Sequence, residues 1–199
     1  MQSNINPLVG ESYYHIYNRG VNGENLFKEE KNYDFFLNKY ATYIDPIVET
    51  YAYCLLKNHF HLLIRTKSEN EILSFYNNKT ASEIISLQFS HLFNSYSQSI
   101  NKSNNRSGAL FERPFRRILV NSDTYFTKLI HYIHYNPQKH DFVSDFKEYQ
   151  HSSYHSHLSK KTSKIKREEV INWFGNKSEY INLHNQFHPE KDISKLIFN

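Results

Sequence analysis

Polar and apolar residues alternate from Tyr13 to Asn18 (YYHIYN), and Arg19-Gly20 closes the run, which predicts a first strand and a turn. Over residues 33–44, YDFFLNKYATYI, the spacing changes to steps of three and four at Phe35, Phe36, Tyr40 and Tyr43, then Asp45-Pro46 stops it. This is a helix. ETYAYCLL (49–56) and HFHLLIRT (59–66) return to strand character with only Lys57-Asn58 between them, the length of a tight hairpin. A second helix is predicted over SEIISLQFSHLFNSYSQSI (82–100), where Ile85, Leu87, Phe89, Leu92, Phe93 and Tyr96 share a broad face and Ser82 is the expected cap. ALFERPFRRILV (109–120) is aromatic and β-branched, and its Pro114 assigns it to a sheet edge or a bulge. A third helix follows over SDTYFTKLIHYIHYN (122–136), with a Ser-Asp cap, a stripe of Phe126, Leu129, Ile130 and Ile133, and an end before Pro137.

The predicted order is therefore β, α, β, β, α, β and a further helix. The expected fold class is α+β: a ferredoxin-like or RRM-like βαββαβ antiparallel sheet, an additional helix, and a C-terminal helical tail. Short helices are expected in that tail at REEVINWFG and near SEYINLHNQF, while 95–108 and 159–169 read as loops.

Composition narrows this picture. At 199 residues one domain is expected, large enough for a real core. The formal charge of +4 permits an anionic partner without demanding one. The single Cys54 excludes an intrachain disulfide and a Cys-rich zinc site, so a reducing compartment, the cytoplasm, is expected. The opening MQSNINPLVGESYY is not a basic-then-apolar leader, and no run approaches the roughly 18 apolar residues of a membrane helix, so no membrane partner is expected. With 16 Tyr, 15 Phe and 12 His, a single ring carries no signal; only position and pairing can.

One pairing stands out. In KNHFHLLIR (57–65), His59, His61, Leu63 and Arg65 project to one face of a strand while Phe60, Leu62 and Ile64 form the core on the other. The histidines are thus expected on the face away from the helices, where neighbours two apart lie about 6 to 7 Å from each other. Two such imidazoles can share a divalent ion, or they can be ordinary surface or hydrogen-bonded histidines. On the third helix Tyr125, Tyr132 and Asn136 line one edge of the apolar stripe, and Tyr132 and Asn136 are surface neighbours. They could be aimed at the histidine face; equally, Tyr132 could be a boundary aromatic and Asn136 the close of the helix.

The chain resembles the IS200-like single-tyrosine (Y1) transposases that carry the His-hydrophobic-His (HUH) motif, and among them the REP-associated tyrosine transposases. His59-Phe60-His61 matches the motif and YIHYNP (132–137) the tyrosine segment; YYHIYNRG, AYCLLKNHFHLLIR, GALFERPFRR and SSYH extend the similarity over roughly residues 12–155. The resemblance implies a catalytic domain over 1–140, with 141–199 a tail packed on it or extending it. It implies His59, His61 and Asn136 as metal ligands, Asn136 standing where many insertion-sequence members have Gln, and Tyr132 as nucleophile. It implies Mg²⁺ or Mn²⁺ as cofactor and single-stranded or hairpin DNA as partner. The expected activity is that of a metal-dependent single-stranded DNA endonuclease and strand transferase, cleaving next to a hairpin through a 5′-phosphotyrosine and a free 3′-OH. A phenol with a pKa near 10 needs such help at neutral pH, and the ion would act as Lewis acid. A monomer is favoured over a homodimer.

Arg106, Arg113, Arg116 and Arg117 cluster around the fourth strand and are the expected DNA-binding residues, with Phe111 and Phe115 as stacking candidates. Lys160, Lys161, Lys164, Lys166 and Arg167 form a second basic run, which reads as a solvated linker. The alternative from another class is a non-catalytic hairpin or single-stranded nucleic-acid-binding protein of RRM-like fold, but GALFERPF lacks the RNP1 pattern and histidines occupy the stacking positions.

Overall fold

The computed structural model describes residues 7–74 and 78–186. Strands β1 (Tyr13–Arg19), β2 (Val48–Leu56), β3 (His59–Thr66) and β4 (Arg116–Val120) form one antiparallel sheet in the order β2-β3-β1-β4. Helix α1 (Glu30–Tyr43) joins β1 to β2, and α3 (Ala81–Ser103) joins β3 to β4, with a single short turn of helix, α2 (Glu69–Leu73), ahead of it. Helix α4 (Asp123–Lys139) follows the last strand, then α5 (Tyr154–Leu158), α6 (Arg167–Trp173) and α7 (Lys177–Gln186). This is the α+β ferredoxin-like arrangement that the patterning predicts. Residue 187 at the end of the expected SEYINLHNQF helix, and the rest of the tail to 199, lie outside the described residues.

The period of two along β3 builds two cores. Phe60, Leu62 and Ile64 are buried with Phe36 of α1 and Phe89, Leu92 and Tyr96 of α3. Leu63 goes to the opposite face with Ala52, Cys54 and Leu56, and meets Phe126, Leu129, Ile130 and Ile133 of α4. The histidine face is therefore not the side away from the helices. The apolar stripe of α4 needs a partner, and Ala52, Cys54 and Leu56 of β2 with Leu63 of β3 are apolar enough to supply one, so β2 and β3 are covered on both faces.

Several boundaries differ from expectation for local reasons. Thr80, not Ser82, caps α3, because it forms a reciprocal capping box with Glu83. The fourth strand is only Arg116–Val120; Phe111 keeps one isolated bridge to Gly20, and Pro114, which has no N–H to donate, falls in the loop between. β4 pairs with β1 alone and is an edge. Helix α4 runs through Pro137 to Lys139, and His140 N still donates to the Asn136 carbonyl at 3.0 Å. A proline so near the end forfeits one helical bond only, that to the Ile133 carbonyl.

The segment after α4 belongs to the second core. His151 to Ser153 lie along the outer edge of β2, with Leu55 N donating to the His151 carbonyl and Ser153 N to the Tyr53 carbonyl, both at 2.9 Å. Trp173 stacks on Phe126, ring centres 4.2 Å apart. Behind them is a buried network of imidazoles. His157 Nε2 meets the Tyr51 carbonyl at 2.7 Å and its Nδ1 the Tyr180 hydroxyl at 2.9 Å. His184 Nδ1 meets the Tyr180 carbonyl at 2.7 Å, its Nε2 meets His134 Nδ1 at 2.9 Å, and His134 Nε2 meets Ser153 Oγ at 2.8 Å. Three members of the second basic run make specific contacts, while Lys160 and Lys161 are exposed. Lys164 pairs with Asp45, Lys166 with Glu49 and Glu169, and Arg167 Nε donates to the Ser156 carbonyl.

Candidate active site

Four elements, β1, β3, β4 and α4, meet at a cleft of about 640 Å³ lined by Tyr17, Asn18 and Arg19, Asn58 to His61, Glu112, Arg116 and Tyr132, with His140 and Phe142 beyond α4. The sheet register explains the gathering. Tyr17 is paired opposite His61 on one side and Arg116 on the other, so all three project to the same face. Helix α4 adds Tyr132 and, one and two turns on, Asn136 and His140.

The structure brings together the four residues expected to carry the chemistry. The His59 and His61 rings stand 5.3 Å apart and nearly perpendicular. The Tyr132 ring is 5.5 Å from that of His61, edge to face, and Tyr132 is only 5% exposed. Asn136 is fully buried; its Nδ2 donates to the Tyr132 carbonyl at 2.8 Å. Because that contact is to a carbonyl, it fixes which end of the amide is oxygen. Among the described residues Oδ1 is left buried with no hydrogen bond of normal geometry, although the amide lies close enough to His59 and Tyr132 to bias the titration of both.

Burial sets the proton affinities. It pushes His59 down to about 4, helped by neighbouring His140, and holds His61 well below the usual histidine value, with His15, His59, His140 and Lys139 adding repulsion. Both imidazoles are neutral at pH 7. Asn58 Oδ1 accepts from His59 Nδ1 at 2.7 Å, which places the proton on Nδ1 and leaves Nε2 a bare lone pair. Burial also raises the Tyr132 phenol; the Asn136 amide works the other way and Tyr17 adds to the rise. Lys139 Nζ sits 5.3 Å from the centre of the Tyr132 ring.

Among the described residues no three His, Cys, Asp or Glu side chains group as a metal site. Two neutral imidazoles and an orphaned amide oxygen are nonetheless a fitting donor set for a divalent ion with open positions, since a buried oxygen without a partner is otherwise a standing penalty of about 1 to 3 kcal/mol.

The four arginines separate. Arg116 lines the cleft. Arg117, one residue on, goes to the other face, where it lies 4.2 Å from the centre of the Phe115 ring and donates to Ser86 Oγ. Arg113 reaches Asn94 on α3. Arg106 is consumed internally by Glu24, Asn101 and the Ala109 carbonyl, with its side chain 14% exposed. Patterning overlooked Tyr17, Asn58 and His140. A period of two carried across to β1 would have found Tyr17, and a further helical turn past Asn136 would have found His140.

No protein-family model matches the chain. A Haemophilus influenzae protein named as a REP-associated tyrosine transposase is 28% identical over 109 residues, which is 54% of this chain and 59% of that relative. The match thus spans less than two thirds of the relative's length. A solved structure of a REP-associated tyrosine transposase bound to a REP hairpin aligns with a TM-score of 0.64 at 13% identity, covering 80% of this chain and 87% of that one. Both comparisons are thus with REP-associated tyrosine transposases, each over part of the chain. At that identity the structural likeness is one of fold. No helix among the described residues is long and apolar enough to cross a membrane.

Proposed function

We propose that this chain is a metal-dependent single-stranded DNA nuclease and strand transferase of the transposase kind, acting beside hairpin DNA through a 5′-phosphotyrosine. The observation that carries the reading is the convergence of Tyr132, His59 and His61 on one cleft within a single chain, with the Asn136 amide buried beside His59 and Tyr132. A complete site in one copy also favours a monomer. His59, His61 and Asn136 would hold Mg²⁺ or Mn²⁺, and the ion, when bound, supplies charge neutralisation at the scissile phosphate.

The chain's own residues account for the rest. Arg116 in the cleft and Lys139 beside the Tyr132 ring place positive charge near the nucleophile, while Arg19 is neutralised by Glu112 at 2.6 Å. Tyr132 sits in a shielded position that excludes competing water. Its Oη loses the phenolic proton as it forms the bond to phosphorus; the bond from phosphorus to the 3′-oxygen breaks, and that oxygen takes up a proton, so the step is neutral in protons overall. One phosphodiester replaces another, so the reverse step, attack by a 3′-OH on the tyrosyl ester, needs no external energy source. Cytoplasmic DNA is the expected setting.

The test is incubation of a single-stranded hairpin oligonucleotide with the protein and Mn²⁺, followed by a denaturing gel. The wild type should yield a protein-linked product, and Tyr132→Phe should bind the hairpin equally well with no such product. An undiminished adduct in that variant would refute the assignment of the nucleophile. Hairpin binding without any adduct in the wild type would select the non-catalytic binding protein instead.

A further inference from the structure

His15 lies beneath the candidate site, fully buried on β1. It is diagonal to His61 across the ladder, since His15 pairs opposite Leu63 and Tyr17 opposite His61. Its Nε2 is 2.9 Å from His61 Nδ1, and the two rings are nearly parallel with centres 5.1 Å apart. Tyr17 completes the stack at 4.8 Å from His15 and 5.6 Å from His61. The His15 Nδ1 atom, on the far side, has no hydrogen-bond partner among the described residues.

Only one proton can occupy the contact between the two imidazoles. If His15 donates it, His61 carries its own proton on Nε2 and has no lone pair left for a cation. If His61 donates, its Nε2 is bare, which is the state that Asn58 imposes on His59. A buried imidazole with one orphaned nitrogen is a poor substitute for a leucine in a sheet core, so its packing alone does not account for it.

We propose that His15 is a positioning residue: it accepts the Nδ1 proton of His61 and so holds His61 in the tautomer and rotation that present Nε2 to a divalent cation. The proposal rests on the assignment of His61 as a ligand. The second imidazole plays the part that a carboxylate or a backbone carbonyl usually plays behind a metal-bound histidine. Asn58, in the hairpin turn before β3, and His15, on β1, then form a matched pair, one behind each ligand.

The experiment compares the wild type with His15→Gln, which keeps an acceptor near the position of Nε2 but loses the ring, and His15→Phe, which keeps the ring and its stacking but loses the acceptor. Mn²⁺ affinity is measured by electron paramagnetic resonance on the full chain, alongside the ring ¹⁵N shifts of His61 without metal and hairpin binding in EDTA. The ¹⁵N shifts should show the His61 proton on Nδ1 in the wild type and in His15→Gln. His15→Phe should bind Mn²⁺ about 10- to 100-fold more weakly, the usual range for a lost outer partner, with hairpin binding unchanged, and His15→Gln should stay within a few-fold of wild type. The reverse order, Phe tolerated and Gln not, would show that the ring matters only as packing and would overturn the proposal. A His61 proton on Nε2 in the metal-free wild type would do the same. A wild type that fails to bind Mn²⁺, or His61→Ala binding it undiminished, would remove the ligand set itself; His61→Ala weakened with His15→Phe unaffected would remove only His15.

Discussion

Acid should unfasten the C-terminal helices before it titrates most carboxylates, and the buried imidazole network sets the size of the effect. The proton positions in that network follow from its carbonyls. His157 Nε2–H donates to the Tyr51 carbonyl, so its Nδ1 accepts from the Tyr180 hydroxyl. His184 Nδ1–H donates to the Tyr180 carbonyl, so its Nε2 accepts from His134 Nδ1–H, and His134 Nε2 in turn accepts from Ser153 Oγ–H. Every lone pair is already in use, and an added proton must break a bond. Burial accordingly lowers His157 to about 4 and His184 to about 3, and holds His134 well below its ordinary value.

The sign follows from linkage. With native values depressed below the unfolded value of 6.5, the unfolded chain binds more protons between pH 6.5 and about 4, so stability falls as pH drops through that window. At pH 5 His157 and His184 each cost roughly 2 kcal/mol, about 4 kcal/mol together, with His134 acting in the same direction, against a total of about 5 to 15 for a typical domain. Urea unfolding in EDTA at pH 7 and pH 5 measures the loss. His157→Gln, which keeps a donor to the Tyr51 carbonyl but cannot be protonated, should shrink the difference between the two pH values by about 2 kcal/mol. An acid loss of the same size in variant and wild type, or none in either, would refute the account.

Two further outcomes test the cleft. Asn136→Leu removes a buried oxygen with no partner together with one bond to the Tyr132 carbonyl, so the melting temperature in EDTA should move by only a few degrees, while the rise on adding Mn²⁺ should vanish; thermal denaturation with and without metal reads both. Arg116→Gln should weaken hairpin binding and lower the salt dependence by about one counterion, whereas Arg106→Gln should leave that slope alone and lower stability, because its guanidinium holds Glu24 and the loop at Ala109. Binding isotherms across a salt series, paired with urea melts, separate the two.

Much of this was legible because short-range physics decides it. The alternation at Tyr13–Asn18 and the two-residue turn at Lys57-Asn58 define strand and hairpin wherever the rest of the chain goes, and the pair Tyr132 and Asn136 shares a helix edge by periodicity alone. What escaped depends on distant partners. That Leu63 and Cys54 lie under α4 is not visible in either strand alone, since an apolar residue on the second face of a strand does not say what covers it. Arg106 looked like a free cation because its partner, Glu24, is 82 residues away. Arg116 and Arg117 were readable in principle, since adjacent residues on a strand must point to opposite faces, yet a cluster of charge hides that alternation. His15 was one ring among many until the register placed it behind His61.

The pairing of His151 to Ser153 with β2 reaches beyond local order. It occupies main-chain groups on a long apolar strand, while the opposite border of the sheet is the five-residue β4 carrying two arginines, a poor template for further pairing. A fragment ending at residue 140 would therefore present an open, hydrophobic β2 margin and a stripped second core at once. Such a piece should self-associate on light scattering where the full chain stays dispersed, which makes the segment after α4 a guard against aggregation as much as a scaffold for helices.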